Sequence, residues 1–515
     1  MSADPIADPI TPSGSLSAVR EVWAQRSQAR TRGDVLYLVY VLALSVLIVG
    51  APALRAAGTA LSRPDVVPLL IATGAPQIST AVTLAGGASL VLLGAVRGPA
   101  LLSPFFTASL ASSAIPRRSV LWRPFLRSLL VTVLGMVIPA VLIGATLVSA
   151  GHVELGAAGW FALAAVGTGM MLGAAWFAGQ LLGPAGRRLL AAALGLLAIG
   201  ALMLPAGIGI GGAYPVGGRL PGPSAVASSL VGVLAVGAAV LLLGRLRGSV
   251  LQEQAARWES ATVSATTMDL SGAAGFFRPP PAAGRRLPAI GAGPLAVLYA
   301  RRDVVAWLRS PERTTVGVIA SLLSAAVLAG STVITGPLAW FLLLLGSLGL
   351  WLASGTFVDG IRHGVHTLGA PQLFGQTAAV QTLLHLTAPI VLLTALGAVG
   401  GLGAWLAAGS VPGSALPAVL LPAVLALVLV VGRARDAAKG PMPLSLSTPM
   451  PTPQGDVSVL PMLLWLSDAI LLALGVGALL LGSATGGALW MLGAGAAASA
   501  LMGLMAWVRL RALVS

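Results

Sequence analysis

The sequence predicts an all-α integral membrane protein with about 12 transmembrane helices, arranged as two tandem six-helix halves with both termini cytoplasmic. Three observations carry this expectation: the composition, the length of the apolar runs, and the one-sided placement of arginine. Of 515 residues, 57% are hydrophobic and 9% charged, with mean hydropathy +0.94. A soluble domain carries roughly 25% charged residues. Lipid rather than water is therefore the solvent for most of this chain.

The apolar runs fix the number of crossings. A helical span needs about 20 mostly apolar residues. Such runs fall near 35–54, 78–96, 129–150, 158–182, 189–211, 225–244, 315–335, 338–358, 380–408, 415–432, 460–481 and 488–508. Backbone groups in lipid must be satisfied internally, so only helices or closed barrels cross it. These runs are too long and unbroken for the alternating strands of a barrel. The first run is expected to be a span rather than a signal peptide, although "APA" (Ala51–Ala53) offers small residues, because a long polar segment precedes it.

Arginine sets the orientation. With the N-terminus inside and the spans alternating, only Arg55, Arg63 and Arg219 of the 30 basic residues fall outside. Positive-inside sorting of this quality supports both the span count and the topology. It also accounts for the net charge of +15 without nucleic acid. No soluble domain presents a basic face for such a partner. Cysteine is absent, which removes disulfides, zinc-thiolate sites and cysteine nucleophiles.

The chain also repeats itself. "RSQART" (Arg26–Thr31) and "RSPERT" (Arg309–Thr314) each stand just before a six-run block. Between the blocks lies a Pro-rich stretch, "FFRPPPAAGRRLP" (Phe276–Pro288), of extended, linker-like composition. The expected organisation is a disordered N-terminus over 1–14, a first half over 15–250, a linker over 251–290 and a second half over 291–515. Internal repeats are a common way to build a transport path.

Two kinds of segment in each half stand out. The openers read as amphipathic helices lying in the headgroup plane. In the first, Leu16, Val19, Val22 and Trp23 fall at helical spacing, with Arg20, Glu21, Arg26 and Arg30 on the polar side. In the second, Val297, Val304, Val305 and Leu308 are interleaved with Arg301, Arg302 and Asp303, and Trp307, Arg309 and Arg313 follow. The second segment is a long loop between the second and third spans of each half. "SLASSAIPRRSVLWRPFLR" (Ser109–Arg127) reads as a short helix, a proline break and a basic helix re-entering the membrane. Its counterpart, "DGIRHGVHTLGAPQLFGQ" (Asp359–Gln376), matches it poorly and lacks its run of arginines.

An interfacial opener, six spans and a helical loop between spans two and three resemble the transmembrane domain of ABC-2-type exporters. The chain is also similar to an actinobacterial family of polytopic membrane proteins related to such permeases. The resemblance implies that the openers are elbow helices. It implies that the loops carrying Pro116, Arg117, Arg118, Trp122 and Arg123, and Pro371 and Gln372, dock an ATPase subunit at the cytoplasmic face of the plasma membrane. It further implies one chain serving as a monomeric pseudo-dimer, with substrate passing between its halves. No Walker A loop is present, since the single lysine reads "DAAKGPM" (Asp436–Met442). ATP would therefore be held on the partner, and no cofactor or catalytic activity is expected in this chain.

Ionisable residues inside the runs are few. His385 and Asp468 lie in the ninth and eleventh, where a charge costs several kcal/mol unless paired or hydrated, so a proton or cation relay stands beside a structural interhelical hydrogen bond or a misplaced span end. Asp359, His363 and His366 share one face of a helix at zinc-ligand spacing, but a solvated loop face is the better expectation and no metal is predicted. The competing function is an ion-coupled secondary transporter with 6+6 spans, in which Asp468 would carry the ion. A membrane enzyme is disfavoured because Asp65 and Glu154 alone among acids fall in the outer loops.

Overall fold

The computed structural model describes residues 32–64, 66–111, 115–203, 209–216, 221–266, 275–277, 284, 286–368, 375–407, 415–440, 442–448, 451–452, 455–456 and 458–514. The protein is all-helical, and among the described residues 12 helices are long and apolar enough to cross a membrane. We number them as spans: Leu36–Leu61, Ala75–Val96, Arg117–Ser149, Leu155–Leu181, Pro184–Met203 and Pro221–Arg245, then Pro311–Val333, Pro337–Ser354, Ala378–Leu406, Ala415–Ala437, Leu460–Ala484 and Ala488–Leu513. Among the described residues the strands amount to one two-residue ladder, Pro451–Thr452 against Gly455–Asp456. Multi-pass membrane insertion follows from the number of apolar helices.

Local chemistry explains the span ends. Span 1 contains a π turn at Val46–Gly50, directly before Pro52. Proline has no N–H and crowds the preceding turn, and a wider turn relieves both. Span 3 begins at Arg117, well before the apolar run expected from 129. Leu121, Phe125 and Leu129 are buried at helical spacing, so the basic segment continues the face of the span. Span 5 is described as far as Met203, and the end of the expected run near 211 is not helical. Residues 209–214 turn instead, and bury Ile210, Ala213 and Tyr214.

Four other helices bear on function. They are α1 (Pro104–Ala111), α2 (Gly248–Thr266), α3 (Leu295–Arg309) and α4 (Asp359–His366). Helix α2 corrects the expected linker over 251–290. Its "QEQAARWE" segment (Gln252–Glu259) consists largely of good helix formers and lacks glycine and proline, with an Arg257–Glu253 pair one turn apart. The linker composition begins only after it.

The chain divides into two compact units, Met1–Phe277 and Arg278–Ser515. In the first, spans 2, 3 and 6 pack on span 4, and span 5 packs on span 2. In the second, spans 7, 8, 9, 11 and 12 all pack on span 10, and span 11 also packs on span 8. The fourth span is the most buried of its unit in both cases. Glycine permits the closest crossings. A Cβ on Gly179 of span 4 would sit 2.0 Å from the Val91 carbonyl oxygen of span 2, so the backbones meet there. Side chains left outside, such as Leu196, Ile199 and Met203, are large and apolar, as a lipid-facing surface requires.

Candidate functional site

Residues of chemical interest gather at the arginine-rich ends of the spans. In the second unit the starting point is "RSPERT". Helix α3 stops at Ser310, whose φ of −124° and ψ of 65° leave the helical region. The residue before proline is pushed out of that region, while Pro311 suits the first turn of the next helix. The fixed letters of the motif then lock the corner. Thr314 donates its hydroxyl to the Trp307 carbonyl at 2.7 Å. Arg309 donates to the Leu287 carbonyl at 3.3 Å. Arg313 forks onto Asp359 of α4 and donates to the Gly355 carbonyl at 3.0 Å. Arg362 approaches Asp359 to 3.9 Å.

Under this corner lies a buried pair. Asp303 of α3 and His385 of span 9 are 3% and 0% exposed. His385 Nδ1 lies 3.0 and 2.9 Å from the two carboxylate oxygens. The Tyr299 ring meets the imidazole edge-on at 4.7 Å, and its hydroxyl donates to Gln376 Oε1 at 3.1 Å. Gly360 of α4 closes the top. A Cβ there would fall 2.2 Å from Asp303 Oδ1 and 2.6 Å from His385 Nδ1. His385 Nε2 is buried and has no hydrogen-bond partner among the described residues.

This arrangement corrects the expected α3. Val297, Val304 and Leu308 are exposed, as an interfacial helix needs. Asp303, read as part of the polar side, is instead buried with Tyr299, Val305 and Trp307. Trp307 packs edge-on against Phe357 at 5.3 Å. The face that carries Asp303 packs on span 9, so α3 has a protein side as well as an outer one. Arg302 remains exposed.

Asp468 is the second focus. Three cations converge on its carboxylate. Arg435 Nη2 and Lys439 Nζ are each 2.5 Å away, and Arg509 Nη2 is 3.6 Å away. Lys439 also donates to the Trp465 carbonyl and lies 3.9 Å from the Trp465 ring centre. Arg509 donates to the Arg435 carbonyl at 3.2 Å. Beside them Arg433 lies over Trp351 at 3.9 Å, donates to Ser354 Oγ at 3.1 Å, and approaches Asp436 to 3.9 Å. The intramembrane acid is one arm of a fixed ion cluster.

The first unit holds its inter-span loop with amides. Gln180 of span 4 donates to the Ala100 carbonyl and accepts from the Ala100 N–H, both at 3.2 Å. It also donates to Gln254 Oε1 of α2 at 3.0 Å. Gln254 donates to the carbonyls of Gly94 and Ala95 at 2.9 and 3.1 Å. Arg97 lies over the Trp258 ring at 4.4 Å. Helix α1 packs against α2. Of the predicted docking residues, Arg117 donates to the Leu246 carbonyl at 2.6 Å and is half-buried. Pro116, Arg118, Trp122 and Arg123 are exposed, and Arg123 lies 5.4 Å from the Trp122 ring centre.

Arg20, Glu21, Trp23, Arg26, Arg30, Pro371 and Gln372 lie outside the described residues. Asp359 engages Arg313, while His363 and His366 are exposed. Among the described residues no group of three or more His, Cys, Asp or Glu is placed to hold a metal. Sequence reasoning missed Gln180, Gln254 and the partners of Asp303 and Asp468. A glutamine in "WFAGQLLG" (Trp176–Gly183) was a polar signal within an apolar run, and attention to ionisable groups alone passed over it. Comparison of the chain with protein families, with curated proteins and with solved structures gives no match.

Proposed function

We propose that the chain is the membrane-spanning permease subunit of an ABC-type exporter in the plasma membrane, driven by a separate ATP-binding subunit. One observation carries the reading. An eight-residue helix stands between the second and third spans of each unit, α1 in one and α4 in the other. Each is backed by a helix at the arginine-rich side: α1 packs on α2, and α4 is pinned by Arg313 to the α3–span 7 corner. A short helix so held transmits a push from a docked protein to whole spans, because packed elements move as bodies. The recurrence of pairings between second and fifth, third and fourth, and fourth and sixth spans in both units supports a duplicated half. The mechanism follows: ATP-driven closure of the partner displaces α1 and α4, and the attached spans rearrange around the substrate path.

A second reading, an ion-coupled secondary transporter, draws support from the buried Asp303–His385 pair with its orphan Nε2. Asp468, first considered for that role, is held by three cations.

The two readings separate in one experiment. The tagged chain is purified in detergent from its native membrane, and the eluate is assayed for ATPase and by mass spectrometry. The permease reading expects an ATP-binding subunit that is retained at least about tenfold less by an Arg118→Glu, Arg123→Glu variant, since like-charge reversal at an interface costs several kcal/mol. A chain that elutes alone, and whose transport collapses with the proton gradient while ATP is intact, would overturn it.

A further inference from the structure

We propose that Arg435, with Lys439 and Arg509 beside it, forms a binding site for the phosphate of an anionic phospholipid. The argument starts from a charge imbalance. Arg433, Arg435, Lys439 and Arg509 are faced by two carboxylates, Asp436 and Asp468. The cluster keeps a surplus of positive charge where spans 10, 11 and 12 meet. Excess charge in a poorly solvated place is unfavourable unless a counter-charge joins it.

The second observation is directional. Arg435 is 5% exposed and spends only Nη2 on Asp468. Its Nε and Nη1 are buried and have no partner among the described residues. Guanidinium donors left unbonded in such a setting are costly, and each can make a charge-assisted bond to a phosphate oxygen. Arg435 also lines a narrow cavity of about 20 Å³, the space of a single water-sized group. The other lining residues are apolar or glycine, from Trp351 through Leu429, Gly432 and Leu472 to Met502. One phosphate oxygen fits there, and it supplies both the acceptor and the charge. Water would supply the acceptor alone.

The lipid is favoured as the source by position. The site lies at span ends on the arginine-rich side, with outward apolar side chains such as Leu464 and Trp507 nearby in sequence, 51% and 41% exposed. Basic pockets between spans at that depth recognise lipid headgroups. Free inorganic phosphate shares the chemistry, and the experiment separates the two.

The full chain is purified in detergent and its thermal unfolding is followed in nanodiscs of phosphatidylglycerol, in nanodiscs of phosphatidylcholine, and in detergent with sodium phosphate against sodium chloride at equal ionic strength. Native mass spectrometry counts retained lipid. The site predicts one phosphatidylglycerol retained per chain, a higher unfolding midpoint in phosphatidylglycerol than in phosphatidylcholine, and no matching shift with phosphate. Loss of a charge-assisted bond makes retention about tenfold weaker in Arg435→Gln. Because that variant also weakens the Asp468 cluster, Arg509→Gln is measured beside it. Arg509 is the partly exposed, more distant cation, so this variant keeps the two shorter bonds and still lowers retention. A saturable shift with inorganic phosphate would assign the site to free phosphate and overturn the lipid. Equal midpoints in the two lipids, or unchanged retention in both variants, would overturn the site.

Discussion

Replacing Gly360 by alanine tests whether the Asp303–His385 pair holds α4 in place. The added methyl carbon would lie 2.2 Å from Asp303 Oδ1, 2.6 Å from His385 Nδ1 and 2.8 Å from Asp303 Cγ. Real Cβ atoms do not approach that closely, so either α4 lifts or the pair separates. Both partners are almost completely buried. A buried donor or acceptor left unsatisfied costs about 1–3 kcal/mol, and two are orphaned together. Overpacking adds about 1–3 kcal/mol if the helix shifts instead. Orphaning the pair destabilises by at least about 2 kcal/mol and lifting α4 by at least about 1 kcal/mol. Gly364→Ala is the internal control, one turn along the same helix. Its Cβ meets nothing nearer than His385 Cδ2 at 3.6 Å, an ordinary contact, and it carries the same gain in helix propensity. Fraction folded is measured across a denaturing-detergent titration for both variants. If Gly360→Ala matches Gly364→Ala within about 0.5 kcal/mol, the pair does not clamp α4 and the reasoning fails.

Two further predictions concern the first unit. Gln180→Leu removes the clasp on Ala100 and leaves that N–H, that carbonyl and Gln254 Oε1 short of a bond. It should lower stability by about 2–4 kcal/mol, read by the same titration, whereas Ser89→Ala, at an exposed hydroxyl, should stay within about 0.5 kcal/mol. Tyr214 lies between spans 5 and 6, with its hydroxyl donating to the Leu70 carbonyl at 2.9 Å, and burial pushes that hydroxyl up to about 12. A raised folded-state value means that its contribution is complete below about pH 10 and is lost as pH climbs toward 12. Tyr214→Phe should therefore flatten the fall in stability between those limits. An identical alkaline slope in wild type and variant would count against the burial argument.

How much of this was legible depended on range. The spans were legible because length and apolarity are local properties, and lipid leaves helices no alternative. Their ends were less so. Span 3 reaches back to Arg117 because Leu121 and Phe125 keep its buried face in register through arginines that hydropathy scores as loop. The polar sites were least legible. Asp303 and His385 are 82 residues apart, and nothing in "ARRDVVAWL" (Ala300–Leu308) distinguishes an acid facing water from one facing a histidine. The charge count assigned Arg435 and Lys439 to the cytoplasmic end of the tenth run. It had no means of showing that both side chains turn inward to Asp468. Sorting by sign reports a side of the membrane and carries nothing about depth.

The corner at "RSPERT" bears on which changes the chain tolerates. By the charge rule alone, lysine would serve as well as arginine at 309 and 313, and the topology would be unchanged. The bonds say otherwise. Arg313 reaches two carboxylate oxygens and a backbone carbonyl through two nitrogens held in one plane, a bidentate geometry that the point charge of a lysine ammonium does not reproduce. The spelling therefore encodes a bracket, an angle between α3 and span 7 with α4 bolted to it, and the positive charge comes along as a by-product. A rewrite that conserved every charge in the segment would leave the protein correctly threaded through the bilayer and mechanically slack at that joint.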